Sequence, residues 1–486
     1  MTDTAAPETV RIAGEQAVRP GLLTALVYTA LTTAVVSSLG MLLVPTLSTE
    51  MDVPVSTAQW MLTVNLLVGA VATPIMGRLS DGPHKKRLLM WSLLVILIGS
   101  VMAATAPNFA VFLVGRAFQG LSYGIVPVTI ALARRYLPED KVRFGISSLS
   151  VTVSTGLGIG YPLTGILADR AGFRAAFVFA AVFLISAALV VWRMVPDGPD
   201  DRAPLARFDV PGAALLGLGL AALLVTISEG PNWGWVSVWT CGAGAAAVVL
   251  LAAWVWVELR SAAPLIDLRV FRHKEVVLAN STAVGLGAAM YIGLSVSSLI
   301  AQAPASTGYG VALPLFWAGF VMAPLSVGSL GANRIVRALS SRVRVTTLLP
   351  FGAGVMTASA FLLWFWHDRL WEILFGMLLF GIGIGTTYAA MPALIARNVA
   401  DTELGSAVSF NQVLRTVGGS FGSALSGAVL AAHLSADLRP ADSGITLALA
   451  LGACGSALVF AALAVNHVLG HRRAAAAARN PERARR

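Results

Sequence analysis

Arg116, Gln119 and Tyr123 are separated by three, four and seven residues, so a helix would carry them along one face. Asn411, Arg415, Gly418 and Gly422 repeat that geometry later in the chain. A guanidinium, an amide and a phenol set in apolar surroundings recognise polar or anionic groups. They do not make a nucleophile, a general acid–base pair or a metal shell. The six histidines, at 84, 273, 367, 433, 467 and 471, have no metal-ligand spacing. No Walker A sequence is present, so direct use of ATP is not indicated. The reading is of a binding protein rather than an enzyme, with no cofactor and no metal. Asn65, Asn280, Tyr291 and Tyr388 are further candidates for lining a binding cavity. For each, a satisfied helix–helix contact is the more ordinary reading.

The elements that hold these residues follow from composition. Of 486 residues, 57% are hydrophobic and 12% charged, with a mean hydropathy of +0.78. Soluble domains carry about 25% charged residues, so this chain lacks the charge to cover a soluble surface. Fourteen apolar runs approach or exceed the length of a membrane-crossing helix. They fall at 21–48, 56–79, 86–106, 109–136, 143–168, 173–195, 210–228, 235–257, 275–302, 312–335, 345–366, 370–396, 403–432 and 443–469. They lack the period-two alternation of barrel strands.

Charge sets their orientation. The N-terminal tail, the loops after the even spans and the C-terminal tail hold 28 of the 34 Lys and Arg. The opposite loops hold only Arg170, Arg174, Arg369 and Arg439; Arg116 and Arg415 lie inside spans. This asymmetry places both termini in the cytoplasm, and the expected location of the chain is the inner membrane, as a multi-pass protein. The net charge of +10 is spread along these loops, which argues against nucleic acid as a partner. Residues 1–20 have no signal-peptide pattern, and the first span is expected to act as an uncleaved insertion signal. The basic, Ala-rich stretch from Arg472 to Arg486 reads as a disordered anchor to anionic lipid. Cys241 and Cys454 lie far apart in apolar runs, so no disulfide framework is implied.

The chain repeats itself. Gly115, Gly120 and Gly124 match Gly376, Gly381 and Gly385 at an offset of 261, and Gly156, Gly160 and Gly165 match Gly418, Gly422 and Gly427 at 262. An even number of spans separates the copies, so they run parallel. The expected organisation is a tail (1–20), a six-helix bundle (21–195), a linker (196–209), two inserted helices (210–257), a second linker (258–274), a second six-helix bundle (275–469) and a basic tail (470–486). Two parallel bundles leave a cleft between them, the architecture of alternating-access carriers.

Three motifs sharpen this. The loop after the second span reads Gly77-Arg78-Leu79-Ser80-Asp81-Gly82-Pro83-His84-Lys85-Lys86-Arg87. It resembles motif A of the major facilitator superfamily, G-x-L-x-D-x-x-G-R-K-x-R, with His84 in place of the second Gly. The loop from Gly331, with Arg334, Arg337, Arg342 and Arg344, resembles its degenerate second copy. Arg116, Gln119 and Gly120 resemble motif B, R-x-x-Q-G. Gly156, Gly158, Gly160, Pro162 and Gly165 resemble motif C, the antiporter signature G-x-x-x-G-P-x-x-G-G. Pro162 and Gly165 align with it, while Tyr161 and Ile166 replace two glycines and Gly156 and Gly160 stand one place off its register.

With the fourteen-span layout, these motifs resemble the drug:proton antiporter branch of that superfamily. The segment Phe208-Asp209-Val210-Pro211-Gly212 and the segment Ser228-Glu229-Gly230 with Trp233 and Trp235 also look like that branch. The resemblance implies a monomeric exporter of small amphipathic compounds, driven by proton entry through rocking of two halves. Gly77, Asp81, Arg87, Gly156, Gly160, Pro162 and Gly165 would serve that conformational change. One departure stands out. The branch usually carries an Asp in span 1, where this chain has Val36, followed by Ser37 and Ser38. No Asp or Glu lies in the middle of any run; the nearest are Asp81, Asp169 and Glu229. A proton carrier needs a titratable group, so these three are the candidate proton sites, with His433 a weaker one. Arg116 and Arg415 together would make the cavity positive and favour neutral or anionic amphiphiles. A purely structural role, or snorkelling toward the interface, remains open for each Arg. Import or uncoupled facilitation on the same fold, or lipid or precursor flipping, also remains open.

Overall fold

The computed structural model describes residues 21–80, 82–197, 209–261, 264–266, 268, 274–339, 345–396, 404–435 and 439–479. Residues 1–20, Asp81, Arg342 and Arg344 lie outside these, as do most of the linker at 196–209 and much of that at 258–274. Among the described residues the chain is helical, and its β pairing is one isolated antiparallel bridge, Leu434 to Pro440. The first set of helices is α1 (Leu22–Ser38), α2 (Val44–Glu50), α3 (Val55–Ala58), α4 (Trp60–Ser80), α5 (Lys85–Thr105), α6 (Phe109–Gln119), α7 (Ile125–Tyr136), α8 (Glu139–Ala171) and α9 (Phe173–Met194). A hairpin follows, α10 (Val210–Trp233) and α11 (Val238–Arg260). The second set is α12 (Lys274–Gln302), α13 (Leu315–Phe320), α14 (Ala323–Leu339), α15 (Val345–Phe365), α16 (Leu370–Ala396), α17 (Leu404–Ala432) and α18 (Asp442–Arg479).

Among the described residues, twelve helical stretches are long and apolar enough to cross a membrane. Two further long helices, α8 and α17, occupy the places of the expected fifth and thirteenth spans, with 33 and 29 residues. Both are rich in Gly, Ser and Thr because they pack against other helices. Four expected spans are interrupted, the second only by a turn at Gln59 between α3 and α4. The first breaks where Leu39 leaves the helical region and Gly40 takes φ 101°, a conformation that favours glycine. The fourth tightens into a 3-10 turn at Gly120–Gly124. The tenth is split between α13 and α14. The tail expected to be disordered begins as helix, since α18 continues to Arg479.

The glycine repeat has a packing cause. Gly156 and Gly160 let α8 lie on α1, where a Cβ would collide with Ala34 and Ser38. Gly418 and Gly422 let α17 lie on α12 in the same way, against Val284 and Ala288. Close backbone approach through small residues is how helices associate in lipid, where apolar burial supplies little drive. The other glycine set repeats equally: Gly120 meets the backbone of Asn65 in α4, and Gly381 that of Leu325 in α14.

The hairpin packs across both sets. Leu216 and Leu220 of α10 share a buried cluster with Ala70 of α4 and with Phe410 and Val413 of α17. Its helix starts are capped: Asp209 accepts from the Gly212 N–H at 2.8 Å and Ser237 from the Thr240 N–H at 3.2 Å. Glu258 of α11 is buried and accepts from Trp254 Nε1 at 3.0 Å and the Ile266 N–H at 3.4 Å. Outward faces of the bundle carry exposed Trp91, Val182, Trp192, Phe365 and Leu458, as expected for a lipid-facing surface.

Candidate functional site

The two sets of helices meet around a small central cavity of about 40 Å3, little more than the room for one water molecule. The first set contributes Thr33 and Ser37 from α1 and Ser122 and Tyr123 from the 3-10 turn. That turn explains Tyr123. It follows α6 with a tighter twist, so Tyr123 leaves the face it was expected to share with Arg116. The second set contributes Tyr291 from α12, Tyr388 from α16 and Gln412, Arg415 and Thr416 from α17.

The hydroxyls of Tyr123 and Tyr291 lie 3.2 Å apart and hydrogen-bond across the cavity, joining the two sets. The Arg415 guanidinium lies over the Tyr388 ring, 3.9 Å from its centroid, and Tyr388 donates to Met290 Sδ at 3.2 Å. Among the described residues Arg415 has no ion-pair partner, and no carboxylate lines the cavity. The site is therefore a positive, aromatic and hydroxyl-rich space. It can hold an anionic or hydrogen-bonding group against Arg415 and an apolar or aromatic body against the tyrosines.

Arg116 is elsewhere. It is fully buried inside the first set, donating from Nη1 to Gln119 Oε1 at 2.6 Å and from Nε to the Met61 carbonyl at 3.3 Å. Its guanidinium also faces the Phe177 ring at 5.9 Å. Gln119 passes the network on to Ser100 Oγ at 2.8 Å, and Asn65 donates to the Arg116 carbonyl at 3.1 Å. Arg116, Gln119 and Asn65 thus tie α4, α5 and α6 together beside α9, and the expectation of a cavity made positive by two arginines is corrected to one. Asn411 likewise turns away from the cavity, donating to Asn280 Oδ1 at 2.9 Å and to the Ala279 carbonyl at 3.1 Å, which binds α17 to α12. Sequence reasoning left Thr33, Ser37, Ser122, Gln412 and Thr416 out of the cavity, and of these Gln412 carried a signal. Its signal was its place three residues before Arg415.

Of the three candidate proton sites, the two that are described, Asp169 and Glu229, do not line the cavity. Asp81 is outside the described residues. Asp169 is exposed near the end of α8. Glu229 is half-buried and pins α10 to α4, accepting from Trp60 Nε1 at 3.2 Å and from Asn232 Nδ2 at 3.0 Å. His433, just past α17, has its Nδ1 2.9 Å from the Val429 carbonyl of that helix.

The seams beside the cavity are tight. Gly165 of α8 faces Gly319 of α13, and a Cβ on Gly319 would lie 2.8 Å from the Tyr161 carbonyl and 3.3 Å from Pro162 Cα. At the end away from the basic loops, Gln302 donates to the Leu42 carbonyl at 2.9 Å, and Thr63 and Ser423 share a 3.0 Å hydroxyl bond. The Ser426 hydroxyl donates to Gln59 Oε1 at 3.3 Å nearby. There too, Tyr309 donates to the Pro440 carbonyl at 2.9 Å, and burial holds its phenol above its ordinary pKa, keeping it a donor. Of the motif A residues, Gly77 makes ordinary contact with Pro127 and Arg87 is exposed in the first turn of α5.

Comparison with known proteins places this geometry. A family model described as Major Facilitator Superfamily matches residues 25–423. The multidrug resistance protein Stp of Mycobacterium tuberculosis is 30% identical over 395 residues, covering 79% of this chain and 70% of Stp. The quinolone resistance protein NorB of Staphylococcus aureus is 25% identical over 425 residues, covering 84% of this chain and 88% of NorB. Among solved structures, the POT family transporter PepTSo superimposes with a TM-score of 0.65 at 13% identity, over 93% of this chain and 99% of that one.

Proposed function

This chain belongs to the major facilitator superfamily, and from that premise we propose that it exports small amphipathic compounds, neutral or anionic rather than cationic, by alternating access coupled to proton entry. The drug-resistance names of its relatives support export. The observation that carries the substrate class is Arg415, stacked on Tyr388 in an interface cavity without a carboxylate. On this reading fourteen helices span the inner membrane, α8 and α17 included, and both termini are cytoplasmic. The protein acts as a monomer.

The small cavity and the Tyr123–Tyr291 bond support an occluded intermediate between inward- and outward-open states. Opening to either side then requires breaking one set of seam contacts while the other holds. Gly165 and Gly319 suit that motion, because backbones in direct contact have two well-packed arrangements more readily than interlocked side chains. The proton site lies outside the cavity. Of the rim carboxylates, Glu229 is best placed, being half-buried and bonded to α4 through Trp60. Protonation would weaken that bond and loosen the hairpin from the first half.

The test is flux in proteoliposomes with a panel of acidic, neutral and quaternary ammonium amphiphiles under proton gradients of either sign. Uphill efflux of acidic or neutral compounds, reversed by inverting the gradient, is the expected result. Flux indifferent to the gradient would instead establish a facilitator. Tight binding of quaternary ammonium dyes alone would overturn the substrate class.

A further inference from the structure

Gly69 of α4 and Gly419 of α17 lie directly against the two tyrosines that meet across the central cavity. A Cβ on Gly69 would lie 2.5 Å from Tyr123 Cδ2, 2.9 Å from its Cγ and 3.1 Å from its Cβ. A Cβ on Gly419 would lie 2.7 Å from Tyr291 Cδ2 and 2.8 Å from its Cε2. Carbon atoms in ordinary contact stand about 3.5–4.0 Å apart. Each ring therefore rests on the backbone of a helix of its own half, in space that any other residue type would fill.

Helix packing alone accounts for the neighbouring glycines. Gly120 and Gly124 fit the 3-10 turn against Asn65, Val68 and Met76 of α4, and Gly418 and Gly422 fit α17 against α12. Gly69 and Gly419 meet rings instead, and those rings carry the 3.2 Å hydroxyl bond between the halves. A Cβ at Gly69 would have to move the Tyr123 ring by about 1 Å to regain ordinary contact. Tyr123 Cβ is among the atoms met, so turning the ring does not clear the clash. The cavity, at about 40 Å3, has little room to accept a displaced ring.

We propose that Gly69 and Gly419 are positioning residues for occlusion: notches that seat Tyr123 and Tyr291 so that their hydroxyls bond and the two halves close on one another. This rests on reading the cavity as an occluded transport intermediate. It adds that closure is governed by two glycines, one in each half, neither of which lines the cavity.

The experiment uses the purified full chain in detergent, with no transported compound. Photo-oxidation by ruthenium tris(bipyridyl) and persulfate couples tyrosines whose rings are close, and dityrosine fluorescence reports the yield. The part of the signal lost in both Tyr123→Phe and Tyr291→Phe belongs to this pair. Gly69→Ala and Gly419→Ala should each lower that part about fivefold, the population shift that corresponds to about 1 kcal/mol of overpacking. Thermal unfolding supplies the second measurement. Gly69→Ala should lower the melting temperature of wild type, yet be neutral or raise it in Tyr123→Ala, where the ring is gone and Ala is the better helix former. If Gly69→Ala alone does not fold, the double variant with Tyr123→Ala should. Undiminished dityrosine yield in either glycine variant would overturn the proposal. So would destabilisation by Gly69→Ala that persists in the Tyr123→Ala background, which would make Gly69 an ordinary packing residue. Neither measurement depends on flux, so a failed transport panel alongside both expected results would overturn the transport reading and leave the seating of the tyrosines intact.

Discussion

Replacing Arg415 with Gln removes the one cation that lines the central cavity among the described residues, while keeping a side chain of similar reach. In the apo protein the loss is the stacking on Tyr388 at 3.9 Å, about 1 kcal/mol for a half-exposed cation–π pair. Folding should therefore survive. With substrate bound the consequence depends on the substrate's charge. An anionic group against Arg415 makes a charge-assisted hydrogen bond worth about 1.5–3 kcal/mol, so its affinity should fall about tenfold to a hundredfold. A neutral analogue of the same shape forfeits only an ordinary hydrogen bond and should lose less than about tenfold. Arg415→Lys keeps the charge but not the planar stack, and should fall between. Isothermal titration of purified protein with an acid and its amide provides the assay. If acid and amide weaken equally in Arg415→Gln, charge recognition at this site is refuted. Unchanged affinity for both would remove Arg415 from the binding site altogether.

Arg116→Ala should destabilise the protein without changing which compounds it prefers. It leaves Gln119 Oε1 and the Met61 carbonyl without their donor and opens a void in the first half, costing about 3 kcal/mol; a thermal-shift comparison checks the loss and a binding panel checks the preference. Tyr123→Phe removes the 3.2 Å bond between the halves. The occluded state should lose about 1 kcal/mol, a several-fold rise in the open population measurable by spin-label distances across the cavity. Gly319→Val places a Cβ against the Tyr161 carbonyl; overpacking of about 1–3 kcal/mol should hold that seam apart, with expression retained and flux lost. Glu229→Gln should leave binding intact and remove the dependence of flux on the proton gradient, whereas persistent gradient-driven flux would shift the proton site to another group.

What could be read from the residues alone was whatever depends on composition and period. Long apolar runs have few structural solutions in lipid, because every backbone polar group must be satisfied within its own segment, so the helices and their approximate ends were legible. The paired glycines were legible as well, since a helix that touches another backbone to backbone needs small residues at fixed spacing, and Gly156 with Gly160 and Gly418 with Gly422 do the same work on α1 and α12. Tyr123, Tyr291, Tyr388 and Arg415 were recognisable as candidates for lining a cavity, with a helix–helix contact or a structural role as the alternative reading of each.

The direction each side chain faces was a different matter. Arg116 and Arg415 have the same residue type and similar neighbours in sequence. One is sealed among Gln119, Met61 and Phe177, and the other opens onto the interface. Periodicity places residues on a common face but not which neighbour that face meets. The 3-10 turn at Gly120–Gly124 then rotates Tyr123 away from the face of Arg116. Asn411 and Asn280 pair with each other because α17 and α12 approach so closely. The sequence by itself determined a helical membrane protein built from two matching halves and an inserted hairpin. Which polar residues hold those halves together and which face the space between them was decided by tertiary packing, because that choice depends on contacts between helices far apart in the chain.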